Sequence, residues 1–344
     1  MSVFEVAGPE LATMLKATAS QDEVIRTKAL TEFYDTLGPL IRDGVQVGDI
    51  TGGIFDEINL PPGTTPEFRL SPIRPGTENE YRAYTNPGMG HIPERAFHGD
   101  KIILPVIDVA NSQSWPLKYA REARWDIVSK AIEVFMAGFV YKKNDDCWHT
   151  ILKAAADRGM TIYDAAAQSG QFTKRLFSQV DIAMKRNGGG NSASLRRGKA
   201  TNIYVSPEAI QEVLNWNVDQ IPDVVRAQFY SMSGSDNPTM DILGVKLHEL
   251  YELGAGQVYQ TYYTSTLGAN LVPIIGGGVH AAADVELGIA VDLMNRDSFV
   301  LANTYPLEVH EDQYLHRAQM GGVYGFMSYG VGVLDSRRVL ALSF

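Results

Sequence analysis

The sequence has very few of the groups on which disulfide-stabilised scaffolds and zinc proteins depend. Among 344 residues there is a single cysteine, Cys147, so the chain can form neither an internal disulfide nor a cysteine-based zinc cluster. No stretch approaches the roughly 18 uninterrupted apolar residues of a membrane-spanning helix. The first residues also lack the basic and apolar regions of a secretory signal. We therefore expect a protein made in a reducing cytoplasm, without a membrane partner.

Positive charge is scarce overall but concentrated in one segment. The 30 Lys and Arg are outnumbered by 40 Asp and Glu, and a net charge of −10 argues against a dedicated nucleic-acid binder. Residues 142–199 hold eleven Lys and Arg and five Asp, a balance of +6 that leaves −16 for the rest. This segment is either a set of solvated helix faces or a basic surface that meets acidic surface on a neighbouring subunit. Arg196 and Arg197 are candidate inter-subunit contacts.

The sequence contains no recognisable catalytic or cofactor-binding constellation. Residues 248–252 (HELYE) begin like a zinc-protease helix, but a glutamate stands where the second histidine is needed, so a surface turn is the better interpretation. The glycine triplets at 188–190 and 276–278 are not followed by the Lys-Ser/Thr of a phosphate loop. Cys147 lies beside two aspartates, whose charge disfavours a thiolate. We expect no enzyme activity, no cofactor and no metal site.

Residues 1–42 predict a mostly helical arm. A capping box at 20–23 begins a helix that Gly38-Pro39 ends, and its apolar face comprises Val24, Ile25, Ala29 and Phe33. A single helix cannot bury that face alone. It therefore has to dock on another surface, and Phe33 is a candidate inter-subunit contact.

Residues 43–112 predict an extended arm. The segment has eight prolines and nine glycines, which exclude long helices and leave extended chain and turns. It has too few apolar residues for a core of its own, and a structureless loop of this length inside a compact domain is uncommon unless it lies on a partner. Its candidate contacts to a neighbouring subunit are Arg69, Ile73, Tyr81 and Tyr84.

The second half of the chain predicts long helices first and strands later. Residues 117–145 favour one helix about 40 Å long, with shorter helices at 147–158 and 171–187. The run Ser206-Pro207-Glu208 predicts a helix that begins directly after a strand at 202–205. Strands are also predicted at 257–266, at 285–293 with one buried face, at 321–334 with breaks at its glycines, and at 339–342.

The order of these segments resembles the Hong Kong 97-type fold of the major capsid proteins of tailed double-stranded DNA phages. Residues 201–209 (TNIYVSPEA) resemble the strand-then-helix entry to the axial domain of that family, and residues 315–338 resemble its closing strand pair. The resemblance covers nearly the whole chain and implies an α+β fold. The implied parts are an N-terminal arm at 1–42, an extended E-loop at 43–112, a peripheral domain with a long spine helix at 113–200, an axial domain with a central sheet and some returning peripheral strands at 201–320, and closing strands at 321–344.

The same resemblance implies a structural subunit that self-assembles as pentamers and hexamers into an icosahedral capsid around phage DNA. Its partners would be copies of itself, a portal, scaffolding or cement proteins, and packaged double-stranded DNA bound without sequence specificity. The implied location is the virion capsid, after assembly in the host cytoplasm. Lys101 is the only lysine between residues 43 and 112 and lies near the base of the predicted loop, so we expect no covalent cross-link. An encapsulin-type nanocompartment shell that packages a cargo enzyme is the alternative.

Overall fold

The computed structural model describes residues 3–20, 22–47, 51–61, 63–70, 101–164, 170–187, 198–216, 240–242, 244–271, 285–294, 296–311 and 319–344. The chain divides into two compact units. Unit 1 comprises Met1–Glu67, Ile103–Cys147 and Val300–Gly332, and unit 2 comprises Phe68–Ile102, Trp148–Phe299 and Val333–Phe344.

Helices and strands occur in both units, which confirms the predicted α+β class. The α-helices are α1 (Val3–Thr18), α2 (Glu23–Val47), α3 (Leu117–Arg121), α4 (Trp125–Asp157), α5 (Lys174–Asn187), α6 (Pro207–Leu214) and α7 (Val258–Thr261). The strands are β1 (Asp56–Asn59), β2 (Glu67–Arg69), β3 (Lys101–Ile103), β4 (Ile107–Pro116), β5 (Thr161–Tyr163), β6 (Asn202–Val205), β7 (Met240–Ile242), β8 (Val245–Glu249), β9 (Leu287–Val291), β10 (Phe299–Glu311), β11 (Met320–Val333) and β12 (Val339–Ser343). Strands β2 and β3 pair with each other as a two-stranded sheet.

A four-stranded sheet in the order β1-β10-β11-β4 forms the centre of unit 1. Strand β1 runs parallel to β10, and β4 runs antiparallel to β11 with Tyr329 opposite Ile107 and Met320 opposite Pro116. The predicted breaks in β11 are wrong, since the strand is continuous. At Gly325 an added Cβ would lie 2.9 Å from Phe135 Cζ, so this glycine allows α4 to pack closely on the sheet.

Helix α2 packs on the rest of unit 1 through a stripe of apolar residues that recur at every fourth position. Ala29, Phe33, Leu37, Ile41 and Val45 are all buried, whereas the predicted face also included Val24 and Ile25, which are exposed. The prediction that Gly38-Pro39 ends the helix is wrong, because α2 continues through Pro39 to Val47. Proline has no N–H to donate, but burial of the stripe on both sides of it holds the helix together.

The start of α2 also differs from the predicted capping box. The carboxylate of Asp22 accepts a hydrogen bond from the Val24 N–H at 3.0 Å, and the Asp22 carbonyl accepts from the Arg26 N–H at 2.9 Å. Asp22 is therefore the N-cap, and the Ser20 hydroxyl accepts from the Asp22 N–H at 3.3 Å. Aspartate and serine are equivalent caps energetically, so the motif alone could not choose between them.

The long helix predicted at 117–145 begins and ends later than expected. Leu117–Arg121 form the short helix α3, and the chain then turns at Ala123, which has a left-handed φ of 52°. Helix α4 follows as one helix of 33 residues, about 50 Å long at 1.5 Å per residue, so the separate helix predicted at 147–158 is wrong. Near the predicted boundary between the two helices, Asn144 and Asp146 accept hydrogen bonds from Thr51 and Tyr329 within unit 1.

Unit 2 is built on a six-stranded mixed sheet in the order β5-β12-β9-β6-β8-β7. Helices α5 and α6 pack on one face, where Leu176 and Ile210 join a cluster with Val205 and Leu342. On the other face Trp148 contacts Tyr204 edge to face at 4.9 Å. Because both faces are covered, every residue of β9 is buried, so the predicted buried face is present and the opposite face is buried as well.

The entry to α6 confirms the sequence prediction in detail. Strand β6 ends at Val205, the Ser206 hydroxyl caps the helix by accepting from the Ala209 N–H at 3.2 Å, and Pro207 occupies the first turn. The strand predicted at 257–266 is wrong, because residues 258–261 form α7 and Tyr262–Thr266 form a π-helical turn. The Gln260 side chain fixes this turn by bonding the Val285 carbonyl and the Leu287 N–H.

A buried ion-pair cluster lies at the start of β12 in unit 2. Arg338 is 2% exposed and binds the Asp292 carboxylate, which also accepts hydrogen bonds from the backbone of Lys199 and Met294. Burial would raise the pKa of Asp335, but hydrogen bonds and charge from Arg337 hold that pKa below its ordinary value. Where the chain enters its last strand, ion pairs and hydrogen bonds thus take the place of contacts between apolar side chains.

Candidate assembly surfaces

The predicted contact residues fall into three groups. Phe33 is 1% exposed and packs inside its own subunit, edge to face against Trp125 with ring centroids 6.2 Å apart. Arg69 is exposed at the end of β2. The remaining predicted contacts lie outside the described residues: Ile73, Tyr81, Tyr84, Arg196 and Arg197.

An exposed apolar surface lies where β3 leads into β4, next to the predicted arm. Ile103 is 58% exposed, and Val106 and Ile107 are also exposed. Large exposed aliphatic side chains this close together in the sequence are candidates for contact with another molecule. These three residues were not predicted as contacts, because prolines and glycines dominate the composition of 43–112, although the run KIILPVI (101–107) contains all three.

A second exposed surface lies at the start of α2. Val24 is 78% exposed and Ile25 is also exposed, although both belong to a helix that buries the apolar stripe from Ala29 to Val45. Their exposure is consistent with contact to another molecule, because two adjacent solvated aliphatic residues gain nothing from their position in the monomer.

The outer face of the unit 1 sheet carries a small aromatic patch. The His310 ring stacks on Phe326 with centroids 5.7 Å apart and lies 5.5 Å from Tyr324. Both Tyr324 and Phe326 remain exposed, and Glu308 lies 3.4 Å from the histidine. Aromatic side chains of this kind are enriched in protein interfaces.

Unit 1 also contains a groove of about 610 Å³ between the end of α2, β1 and β10. Its charged groups have partners: Lys143 pairs with Glu57 at 2.5 Å, and Arg42 donates to the Leu307 carbonyl at 3.3 Å. Burial raises the pKa of Tyr329, which donates to Asp146 at 2.9 Å. The groove thus presents paired, structural polar groups and not an activated acid or nucleophile.

The candidate zinc-binding histidine serves a structural role. His248 lies on β8, and the predicted surface turn follows that strand at Tyr251 and Glu252. The His248 ring stacks on Tyr204 with centroids 4.9 Å apart. Burial, and secondarily the charge of Lys246, lower the pKa of His248, so the ring is neutral at pH 7 and its Nε2 accepts from the Asn202 amide at 2.7 Å.

One further group of metal-type ligands occurs within one turn of α4. The ligand atoms of Asp145, Asp146 and His149 lie within 4.8 Å of one another. Asp146, however, already accepts a hydrogen bond from Lys142 at 2.6 Å. This bond raises the pKa of Lys142, and partial burial of the lysine offsets some of the increase. Asp146 therefore acts as a structural acceptor in unit 1.

Among the described residues, no helix is both long enough and apolar enough to cross a bilayer.

The chain was compared with known families, curated proteins and solved structures. Neither a family model nor a curated protein matches it. Among solved structures, one from Microbacterium phage Oxtober96 is similar with a TM-score of 0.55 and 12% identity, over 86% of this chain and 90% of that chain. The capsid structure of the cyanophage P-SCSP1u is similar with a TM-score of 0.52 and 12% identity, over 86% of this chain and 87% of that chain.

The chain has the fold of phage capsid proteins. The Hong Kong 97-type fold predicted from the order of segments is thereby confirmed. A virus-like particle from Pyrococcus furiosus is also similar, over 90% of this chain and 99% of that chain, but its TM-score of 0.42 and 10% identity are too low to distinguish one kind of shell from another.

Proposed function

We propose that this protein is the structural subunit of an icosahedral phage capsid, assembled from pentamers and hexamers around double-stranded DNA. The observation that carries this proposal is the similarity of most of the chain to phage capsid structures at TM-scores above 0.5. The exposed apolar residues around Val24, Ile103 and Val106 support it, because contact with neighbouring subunits would bury them. A portal and scaffolding or cement proteins are the further partners, and the virion capsid, assembled in the host cytoplasm, is the location.

The proposed subunit is not an enzyme. The polar groups of the described groove and of the histidine on β8 are engaged in structural hydrogen bonds, which supports this part of the proposal. A capsid must also hold DNA without binding it tightly, and a subunit with a net charge of −10 suits that requirement.

The predicted extended arm supplies a direct test of assembly. The test removes part of the predicted arm 43–112. Ile54, Phe55 and strand β1 have to be kept, because they belong to the core and sheet of unit 1. Since β2 and β3 pair, Leu70 can be joined to Lys101 through a short turn of about two to four residues. This replacement of residues 71–100 should leave a folded subunit that no longer forms closed shells.

Far-UV circular dichroism and urea unfolding report folding of this variant, and sedimentation reports assembly. Normal shells from the shortened subunit would contradict the E-loop interpretation. The nature of the contents separates the proposal from an encapsulin-type compartment: nuclease-protected DNA in particles purified from infected cells supports the capsid, whereas a protein cargo without DNA supports the compartment.

A further inference from the structure

Strand β4 forms one edge of the sheet in unit 1 and is long for an edge strand. It has ten residues and pairs with β11 on one side, and among the described residues no strand pairs with its other side. A long edge strand presents a row of backbone N–H and C=O groups to which a strand of a second molecule can add. Val106 and Ile107 lie where β4 begins, and their exposure makes such addition more favourable.

The side chain of Asn111 binds a backbone group in the middle of this edge. Its Oδ1 accepts a hydrogen bond from the Ser112 N–H at 2.9 Å. In antiparallel pairing, alternate residues direct both of their backbone groups away from the neighbouring strand. Since the Ser112 N–H bonds a side chain and not β11, it belongs to the groups that face the open edge, and Asn111 satisfies it.

The other end of the same side chain is anchored to α4. The Asn111 Nδ2 donates to the Phe135 carbonyl at 3.1 Å. Asn111 lies on the face of β4 that also carries the buried Val109 and Trp115, so its side chain is directed towards the helix. Because its oxygen and its nitrogen both have partners, the side chain cannot rotate away from the edge without losing two hydrogen bonds.

Gly138 provides the space that this side chain occupies. An added Cβ at Gly138 would lie 2.6 Å from the Asn111 Nδ2, which is closer than non-bonded atoms approach. Gly138 lies well inside α4, where glycine is among the least favourable residues because it loses the most conformational freedom on folding. The need to admit Asn111 explains this glycine. We call Asn111, Ser112 and Gly138 together the β4 cap.

We propose that the β4 cap prevents copies of this chain from joining through the edges of their unit 1 sheets. The Asn111 Oδ1 occupies the position that a carbonyl oxygen of an added strand would take at the Ser112 N–H. Natural proteins close exposed sheet edges in several ways, and a side chain that binds an outward N–H serves the same purpose. The inference goes beyond the proposed shell function, because it concerns a contact that subunits avoid before they assemble.

Two substitutions open the cap by different routes. Asn111→Ala removes the side chain, and Gly138→Ala displaces its amide from α4. Either one frees the Ser112 N–H for a second copy, so we expect the association constant of unassembled subunits to rise by about fivefold, the factor that one hydrogen bond provides. Sedimentation velocity over a concentration series, below the concentrations at which shells form, measures this constant. Gln113→Ala, a half-buried position on the same face of β4, is the matched control and should leave it unchanged.

Two further measurements separate an open edge from a folding defect. In Gly138→Ala the gain in helix propensity offsets the lost hydrogen bond, so the urea unfolding midpoint should stay close to that of the wild type. Adding Ser112→Lys to Asn111→Ala should restore the wild-type association constant, because a lysine on an edge strand disfavours strand addition. This lysine reduces the magnitude of the net charge of −10, so greater repulsion between whole subunits cannot explain the rescue.

The inference would be overturned if both cap variants kept the wild-type association constant. An equal rise in Gln113→Ala, or a rise in Asn111→Ala that Ser112→Lys does not reverse, would also overturn it. Because the measurement uses unassembled subunits, its result does not depend on whether closed shells form at higher concentration. Failure of the wild type to form shells would contradict the proposed shell function and leave the test of the cap intact.

Discussion

Replacement of Phe33 by alanine is expected to destabilise the individual subunit before any assembly occurs. The ring is 1% exposed and is held between Tyr34 and Trp125, with centroid distances of 5.3 Å and 6.2 Å. Removal of such a ring from a core costs about 3–5 kcal/mol, because both the burial of the ring and its contacts are lost. Phe33 belongs to the buried stripe through which α2 packs on the rest of unit 1. The variant should therefore expose the N-terminal helices.

The measurement is urea unfolding of unassembled subunits, followed by tryptophan fluorescence. Trp125 contacts Phe33 directly and therefore reports on the altered region. With a denaturant dependence of about 3 kcal/mol per M, the unfolding midpoint should fall by roughly 1–1.7 M.

Val24→Ala on the same helix is the matched control. Val24 is 78% exposed, so its truncation should change subunit stability by no more than about 0.5 kcal/mol. The reasoning would be refuted if Phe33→Ala left the unfolding midpoint unchanged while abolishing assembly, because Phe33 would then be an inter-subunit contact, as predicted from the sequence.

Two further predictions concern buried charges of unit 2. The raised pKa of Glu286 means that the folded state favours the protonated form, so this residue contributes stability at low pH that is lost as the pH rises through its folded-state pKa. Glu286→Gln should therefore raise the thermal unfolding midpoint at pH 8 and leave it unchanged at pH 4; an equal shift at both pH values would contradict this account. Asp292→Ala leaves the Arg338 charge buried without its main partner and should cost about 3–5 kcal/mol in urea unfolding, whereas Lys153→Ala at an exposed pair should cost less than about 1 kcal/mol. Equal effects of the two substitutions would contradict the assigned burial.

The parts of the fold that were predicted correctly are those in which local chemistry determines the structure. Ser206 and Pro207 specify a helix start whatever surrounds them, and the structure has the helix there. The last strand was also predicted, because Val339–Leu342 is a short run of β-favouring and apolar residues. The order of segments then led to the correct fold, although no single motif identifies it.

Prediction failed where tertiary contacts override local preference. Tyrosine and threonine favour strands, but residues 258–266 turn as helix because Tyr259 and Tyr263 are buried and Gln260 bonds the neighbouring strand β9. Pro39 favours the end of a helix, but the stripe from Phe33 to Ile41 keeps α2 intact. Such contacts join residues far apart in the sequence, so periodicity and composition do not reveal them.

The candidate surfaces were predictable only in outline. Composition indicated that residues 43–112 need a partner, but it could not show that Ile103 and Val106 remain exposed in the subunit. The positive balance of 142–199 left open whether its cations are solvated helix faces or a surface that meets a neighbour. Which side of α5 is exposed depends on the helix face that the core of unit 2 covers. Burial is a property of the fold, and the sequence only constrains it.

Electron microscopy of the purified full-length protein tests the central claim most directly. We expect negatively stained samples, prepared across a range of salt and protein concentrations, to contain closed shells tens of nanometres across, built from five- and six-fold rings. Particles of a single subunit of about 38 kDa under every condition tried, or open filaments without closure, would contradict the assignment of this chain as a capsid subunit.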